Sequence, residues 1–130
     1  MNRSEMREQA FVLLFEKEFF ADMPAVEIEN IYSENVSALS DYAKELFETA
    51  LLHREEFDEI IEKYANGWKL SRIPKVNLSV LRLALCEIIY IDGVPENVAI
   101  NEAVELAKKY SGKEDFSFVN GILGSYSRSK

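Results

Sequence analysis

Cysteine, histidine, proline and glycine are all scarce in this sequence, and each scarcity closes off a class of protein. The single Cys86 cannot form a disulfide framework within one chain. It sits in the most apolar stretch, where a thiol acts as a small core residue. The single His53 cannot build a metal cluster, and no Cys/His spacing accompanies it. Only 5 Gly and 3 Pro leave little room for many hairpins, which favours an all-α fold. No run of roughly 20 apolar residues is present, so no membrane span is expected. No apolar secretion signal follows Met1, and the expectation is a soluble cytoplasmic protein. There is no Gly-rich phosphate loop and no nucleophile elbow, so no catalytic residue, metal or cofactor is expected. Cationic excess is missing too: the net charge of -8 argues against a general nucleic-acid binder.

What is present is apolar and helical. Hydrophobic content of 48% and aromatic content of 12% suffice for a core, and 130 residues are most simply one domain, 1–130. Val76 to Ile91, VNLSVLRLALCEIIYI, is apolar nearly all round. A helix without a polar face is surrounded by other helices. Strand is the competing reading, given Val80 and Ile88 to Ile91, but strands run about 4–8 residues. The stretch reads as a central core helix, with Asn77 as its N-cap and Asp92-Gly93 at its end.

The other segments are arranged around it. Ser4 to Phe20 reads as a helix with an Asn2/Glu5 capping box and an apolar face of Met6, Ala10, Leu13 and Leu14. Arg3 and Arg7, four apart, share one side of its first turns. Pro24 suits the start of a short second helix carrying Val26, Ile28, Ile31 and Tyr32. Ser40 caps a long third helix, Asp41 to Ala65, ended by Asn66-Gly67. Trp68 to Lys75 is a connector with at most one helical turn, since Pro74 disfavours helix at Ile73. Val98 to Tyr110 and a last segment with Phe116, Val119, Ile122, Leu123 and Tyr126 complete the chain. Gly121, inside that last helix, costs about 1 kcal/mol relative to Ala, which the close approach of another helix would explain. Phe116 and Phe118 point to different sides, so one of them is expected to be exposed.

Charge is unevenly spread. Residues 22–66 hold 12 acidic and 3 basic side chains, whereas residues 106–130 hold 5 basic and 2 acidic. The acidic run reads as a solvated face. Glu87 and Glu102 interrupt apolar surroundings and read as structural, through an ion pair with Arg82 or a bond to a helix end. Arg82 and Glu87 do not face each other well on one helix, so each acid is expected to take a partner from another element or a backbone donor.

Certain motifs carry a resemblance. They are Trp68…Arg72…Val76…Leu81-Arg82-Leu83-Ala84…Glu87, then Val98 to Lys108 (VAINEAVELAK), then Phe118-Val119-Asn120-Gly121. Together with Arg3…Arg7-Glu8…Ala10, they make the chain similar end to end to the NusB family of bacterial transcription antitermination factors. The resemblance implies an all-α fold of two small helix-bundle subdomains. It implies a heterodimer with the ribosomal protein NusE, whose face is the central helix region and the FVNG helix. It implies single-stranded boxA RNA as ligand and the RNA polymerase elongation complex as the place of action, without catalysis. Arg3 and Arg7 match RNA-contacting arginines, Phe118 matches an RNA-contacting aromatic, and Lys113 lies in the loop before it. Ser4 stands where some relatives carry a third arginine. If the first and last helices pack side by side, as the resemblance implies, the arginines and the basic C-terminal stretch join in one patch beside Phe118.

Other classes fit some of these features. A protein-only helical adaptor, or a homodimer with weak RNA affinity, fits the -8 charge. A stand-alone relative of the NusB-like domain of ribosomal-RNA cytosine methyltransferases fits the motifs, but nothing in the chain could bind a methyl donor.

Overall fold

In a computed structural model, which describes residues 1–112 and 116–130, seven α-helices form and no strand is found among the described residues. They are α1 (Arg3–Phe19), α2 (Ala25–Asn35), α3 (Asp41–Leu52), α4 (Arg54–Tyr64), α5 (Lys75–Tyr90), α6 (Glu96–Ser111) and α7 (Phe116–Arg128). A single 3₁₀ turn, Leu70–Arg72, lies between α4 and α5.

The central helix is α5. Every residue from Asn77 to Glu87 is buried, and α1, α3, α4, α6 and α7 all pack on it. Val80, Leu81, Leu83 and Leu85 are at most 2% exposed. Burying such a side chain contributes about 1.5–3 kcal/mol relative to exposure. That is why a mostly apolar helix is stable here. α1 to α3 gather on one side of α5 and α4, α6 and α7 on the other, as two small bundles sharing one helix.

Local chemistry accounts for most boundaries. The Asn2/Glu5 capping box forms as the sequence suggests. The start of α5 differs from expectation. Pro74, with extended backbone, is the N-cap, and its carbonyl accepts from Leu78 N at 2.9 Å. Asn77 is therefore not a cap. It is buried in the first turn, where its Oδ1 accepts from Ser111 Oγ at 2.9 Å.

The expected single helix from Asp41 to Ala65 is two helices, broken at His53. No Pro or Gly marks the break. The cause is tertiary: α3 packs on α1 and α5, whereas α4 packs on α5 and α7. The chain must turn from one bundle to the other. His53 stacks on Tyr90 at the end of α5, with centroids 3.9 Å apart and planes within 12°, and this contact holds the bend.

Gly121 also departs from expectation. A Cβ there would meet nothing within 4 Å, so no helix approaches it closely. It faces an open cleft between the end of α4 and α7.

Cys86 is fully buried, and burial pushes its thiol up to about 12. A second buried ionisable group lies between α2 and α3. Glu29 is 5% exposed, and its Oε2 has no partner among the described residues. Burial first, and then the Glu48 carboxyl, raise its carboxyl from 4.5 to about 7 against the opposing charge of Lys44. An acid whose folded value is raised penalises the fold once ionised. Stability should therefore fall as pH rises from about 4.5 to about 7 and level off above. Chemical denaturation across that window should show this slope in the parent and a flatter profile in Glu29→Gln. Identical profiles would show that Glu29 does not hold the proton.

Candidate RNA interface

The residues implied by the resemblance lie in different surroundings. α1 carries Arg3 and Arg7 on one side, but only Arg3 is exposed. Arg7 is 5% exposed and points inward. Its Nε lies 2.8 and 2.7 Å from the two oxygens of Glu87, itself 1% exposed. Glu87 also accepts from the Tyr42 hydroxyl of α3. Burial first, and then the Glu87 carboxylate, drive the Tyr42 hydroxyl far above its usual range.

The network then reaches α6. An Arg7 terminal nitrogen lies 3.5 Å from Glu102 Oε1, which accepts from Ser4 Oγ at 2.6 Å. Arg3 covers the outside, its guanidinium carbon 3.8 Å from the centroid of the Tyr42 ring. Four helices thus meet at one cluster.

Glu87 and Glu102 are each held by partners from another element, as expected, and Arg82 is not among them. The partner of Glu87 is Arg7. Arg82 instead binds Asp58, at 2.8 and 3.0 Å, and Glu18. Five residues separate Arg82 from Glu87, so they leave α5 on different faces. Glu102 is 29% exposed and lies at the cluster's rim.

Phe118 lies elsewhere. It lines a cleft of about 190 Å³ with Trp68, Arg72, Pro74 and Asn77, at the N-terminal end of α5. Asn77 and Glu87 are ten residues apart on one helix, about 15 Å along its axis. α1 packs on α2, α3 and α5, whereas α7 packs on α4, α5 and α6. The expected patch joining the arginines to Phe118 therefore does not form, because α5 stands between the two helices. Neither Phe116 nor Phe118 is exposed; both are half-buried against the core. The exposed aromatic is Trp68, 55% accessible, its ring centroid 6.2 Å from that of Phe118. Lys113 lies outside the described residues.

Most of the basic C-terminal stretch is already engaged. Lys108 pairs with Glu105 at 3.5 Å, Lys109 with Glu8 at 2.6 Å and Lys130 with Glu96 at 2.7 Å. The connector Trp68 to Lys75 holds Lys69, Arg72 and Lys75 and no acid, a local positive balance hidden within longer segments in the sequence. Three cations around a tryptophan, in a chain of net charge -8, were the available signal.

The fold and the site define an all-α protein with a closed polar cluster in its core, a shallow aromatic cleft and a cationic connector. The comparisons with known proteins give the particular family. The NusB family model matches residues 4–128. The transcription antitermination protein NusB of Acetivibrio thermocellus is 45% identical over 126 residues, covering 95% of this chain and 87% of that protein. That of Alkaliphilus oremlandii is 42% identical, covering 97% and 93%. The solved complex of antitermination factors NusB and NusE with dsRNA contains a chain that superposes with a TM-score of 0.85 at 30% identity, covering 98% of this chain and 97% of that one. The chain belongs to the NusB family.

The cluster predicts an asymmetry between the two arginines. Arg7→Ala leaves the Glu87 charge buried and unpaired, which should cost about 3–5 kcal/mol of stability. Arg3→Ala removes only an exposed cation–π contact, worth about 0.5–1 kcal/mol. Urea unfolding of both variants tests this, and equal losses would contradict the assignment of Arg7 to the core.

Proposed function

We propose that the protein is a transcription antitermination factor that works without catalysis. It pairs with NusE and binds boxA RNA of ribosomal RNA transcripts. In the cytoplasm it joins the RNA polymerase elongation complex and helps it pass premature termination. Residues 1–130 act as one RNA-binding unit. The observation that carries this reading is the near full-length likeness to NusB proteins, including a chain solved together with NusE and dsRNA.

The physical chemistry supports a composite binder. A net charge of -8 repels phosphate, so a basic partner must supply much of the attraction. Among the described residues no helix is long and apolar enough to cross a membrane. Most of α5 is buried and closed to a partner, but Lys75 at its start is exposed and Val76 is half-buried. There Lys75 Nζ lies 5.9 Å from the ring centroid of Phe19, beside exposed Phe20. Exposed aromatics of this kind are what partner proteins cover, and we assign NusE to that end. Arg3, Lys113 and Phe118 are the proposed RNA contacts. Arg7 acts through Glu87 by fixing the α1 end from which Arg3 projects.

Gel shifts with boxA RNA, single-stranded and duplexed, with and without NusE and at two salt concentrations, test this function. The NusE complex should bind more tightly than the chain alone. Arg3→Ala should weaken binding and lower the salt slope by about 0.7, the share of one phosphate contact on a single strand, with NusE binding intact. Base edges are hidden in duplex grooves, which favours the single strand. A complex that forms with NusE yet binds boxA no better than unrelated RNA would make the chain a protein-only adaptor.

A further inference from the structure

We propose that the connector Trp68 to Lys75 forms, with Phe118, a seat for one unpaired RNA base. In this seat Trp68 is the stacking surface, and Arg72 and Lys69 take the flanking phosphates. The inference rests on the reading of the protein as an RNA-binding factor and locates where a base is held.

Four observations carry it. The cleft between Trp68, Pro74 and Phe118 is apolar-walled, and Arg72 stands among its lining residues. Its volume of about 190 Å³ is below the roughly 300–1,000 Å³ of small-molecule pockets, so it suits one planar ring and not a cofactor. Trp68 is 55% exposed although an indole gains much from burial. Among the described residues neither Lys69 nor Arg72 has an ion-pair partner, whereas Lys108, Lys109 and Lys130 all do.

The seat is also held in place before any ligand arrives. Asn66 and Gly67 take positive φ values of 51° and 86°, and Trp68 N donates to Ala65 O at 3.1 Å. This turn fixes where the indole leaves α4. Ile73, 4% exposed, and the 3₁₀ turn Leu70–Arg72 pin the other end. Asn77 lies at the floor with its Oδ1 taken by Ser111, so what its side chain can offer a base edge is an amide donor. Stacking tolerates any base while the cations read the backbone, as in other single-strand binders.

Trp68 is the only tryptophan, so the intact protein carries its own probe. Single-stranded boxA RNA titrated into the complex with NusE should quench its emission with the same midpoint as the gel shift. Trp68→Ala should weaken RNA binding about 5- to 100-fold and Trp68→Phe much less. Arg72→Gln should reduce the slope of log K against log salt by about 0.7. Thermal melts and NusE binding should be unchanged in all three variants. RNA binding at parental strength by Trp68→Ala, without quenching in the parent, would overturn the seat while leaving the proposed function standing. Quenching by NusE alone would assign the cleft to protein docking and overturn it too. Loss of RNA binding by the parent complex would instead remove the functional reading on which the seat depends.

Discussion

The buried contact between Arg7 and Glu87 is what the rest of the structure depends on. Two opposite charges, 5% and 1% exposed, sit where α1, α3 and α5 meet. Charges are expensive to bury, and this pair is tolerable because its oxygens are satisfied: Glu87 accepts from Arg7 and from Tyr42, and Arg7 also reaches Glu102. The geometry has one solution. If α1 turned or slid by a residue, Arg7 would leave Glu87 alone in the core. The apolar stripe of Ala10, Phe11, Leu13 and Leu14 tolerates small errors of register, but the ion pair does not. A second polar tie, Arg82 to Glu18 and Asp58, repeats the arrangement further along the same helices. α1 is therefore fixed to α5 at two points, one toward each end.

This arrangement explains how an acidic chain can still carry a binding surface. Cations at the ends of α6 and α7 face acids on α1 and α6, and they stabilise the fold at the expense of long-range attraction. Such exposed pairs contribute little each, about 0–1 kcal/mol. What they do is neutralise. Among the described residues Arg3, Lys17, Lys44, Lys63, Lys69, Arg72, Lys75 and Arg128 have no ion pair, and Lys69, Arg72 and Lys75 stand together on the connector at Trp68. A surface with scattered cations and one short positive stretch in an acidic field does not attract polyanions without help. A basic partner is the missing component that the charge distribution itself calls for.

The sequence made the architecture legible wherever one helix face had one job. The nearly all-apolar run from Leu78 to Cys86, too long for a strand, read as a surrounded helix. Asn2 with Glu5, Ser40 and Pro24 each announced a helix start. The sequence was silent where the reason for a shape lay in another element. His53 bends the chain with no Pro or Gly, because the bend is held by a ring on α5. Arg3 and Arg7 have the same spacing from a helical face as any surface pair, and nothing local says that one is drawn inside. The charge that draws it, Glu87, is eighty residues away. Asn77 looked like a cap because caps are read from residue type, whereas Pro74 had already supplied the required backbone. Trp68 was visible as a motif residue, but its exposure follows from a turn that directs it away from the core.

The same logic separates what Arg7 and Phe118 can do in binding. A residue inherited from a family pattern is retained for contact with ligand or for holding the residues that make contact, and burial distinguishes the two. Arg7 has no free donor face toward solvent at 5% exposure, so any effect of its loss on RNA must pass through the position of α1 and Arg3. Phe118 is half-buried and packs its edge toward Trp68, so it contributes a wall while the indole contributes the open surface. Contact then belongs to exposed side chains on the rims of α5, and orientation belongs to the buried ones between its ends. A rigid core helix serves both, because its 16 residues hold Asn77 beneath one rim and Glu87 beneath the other at a fixed distance.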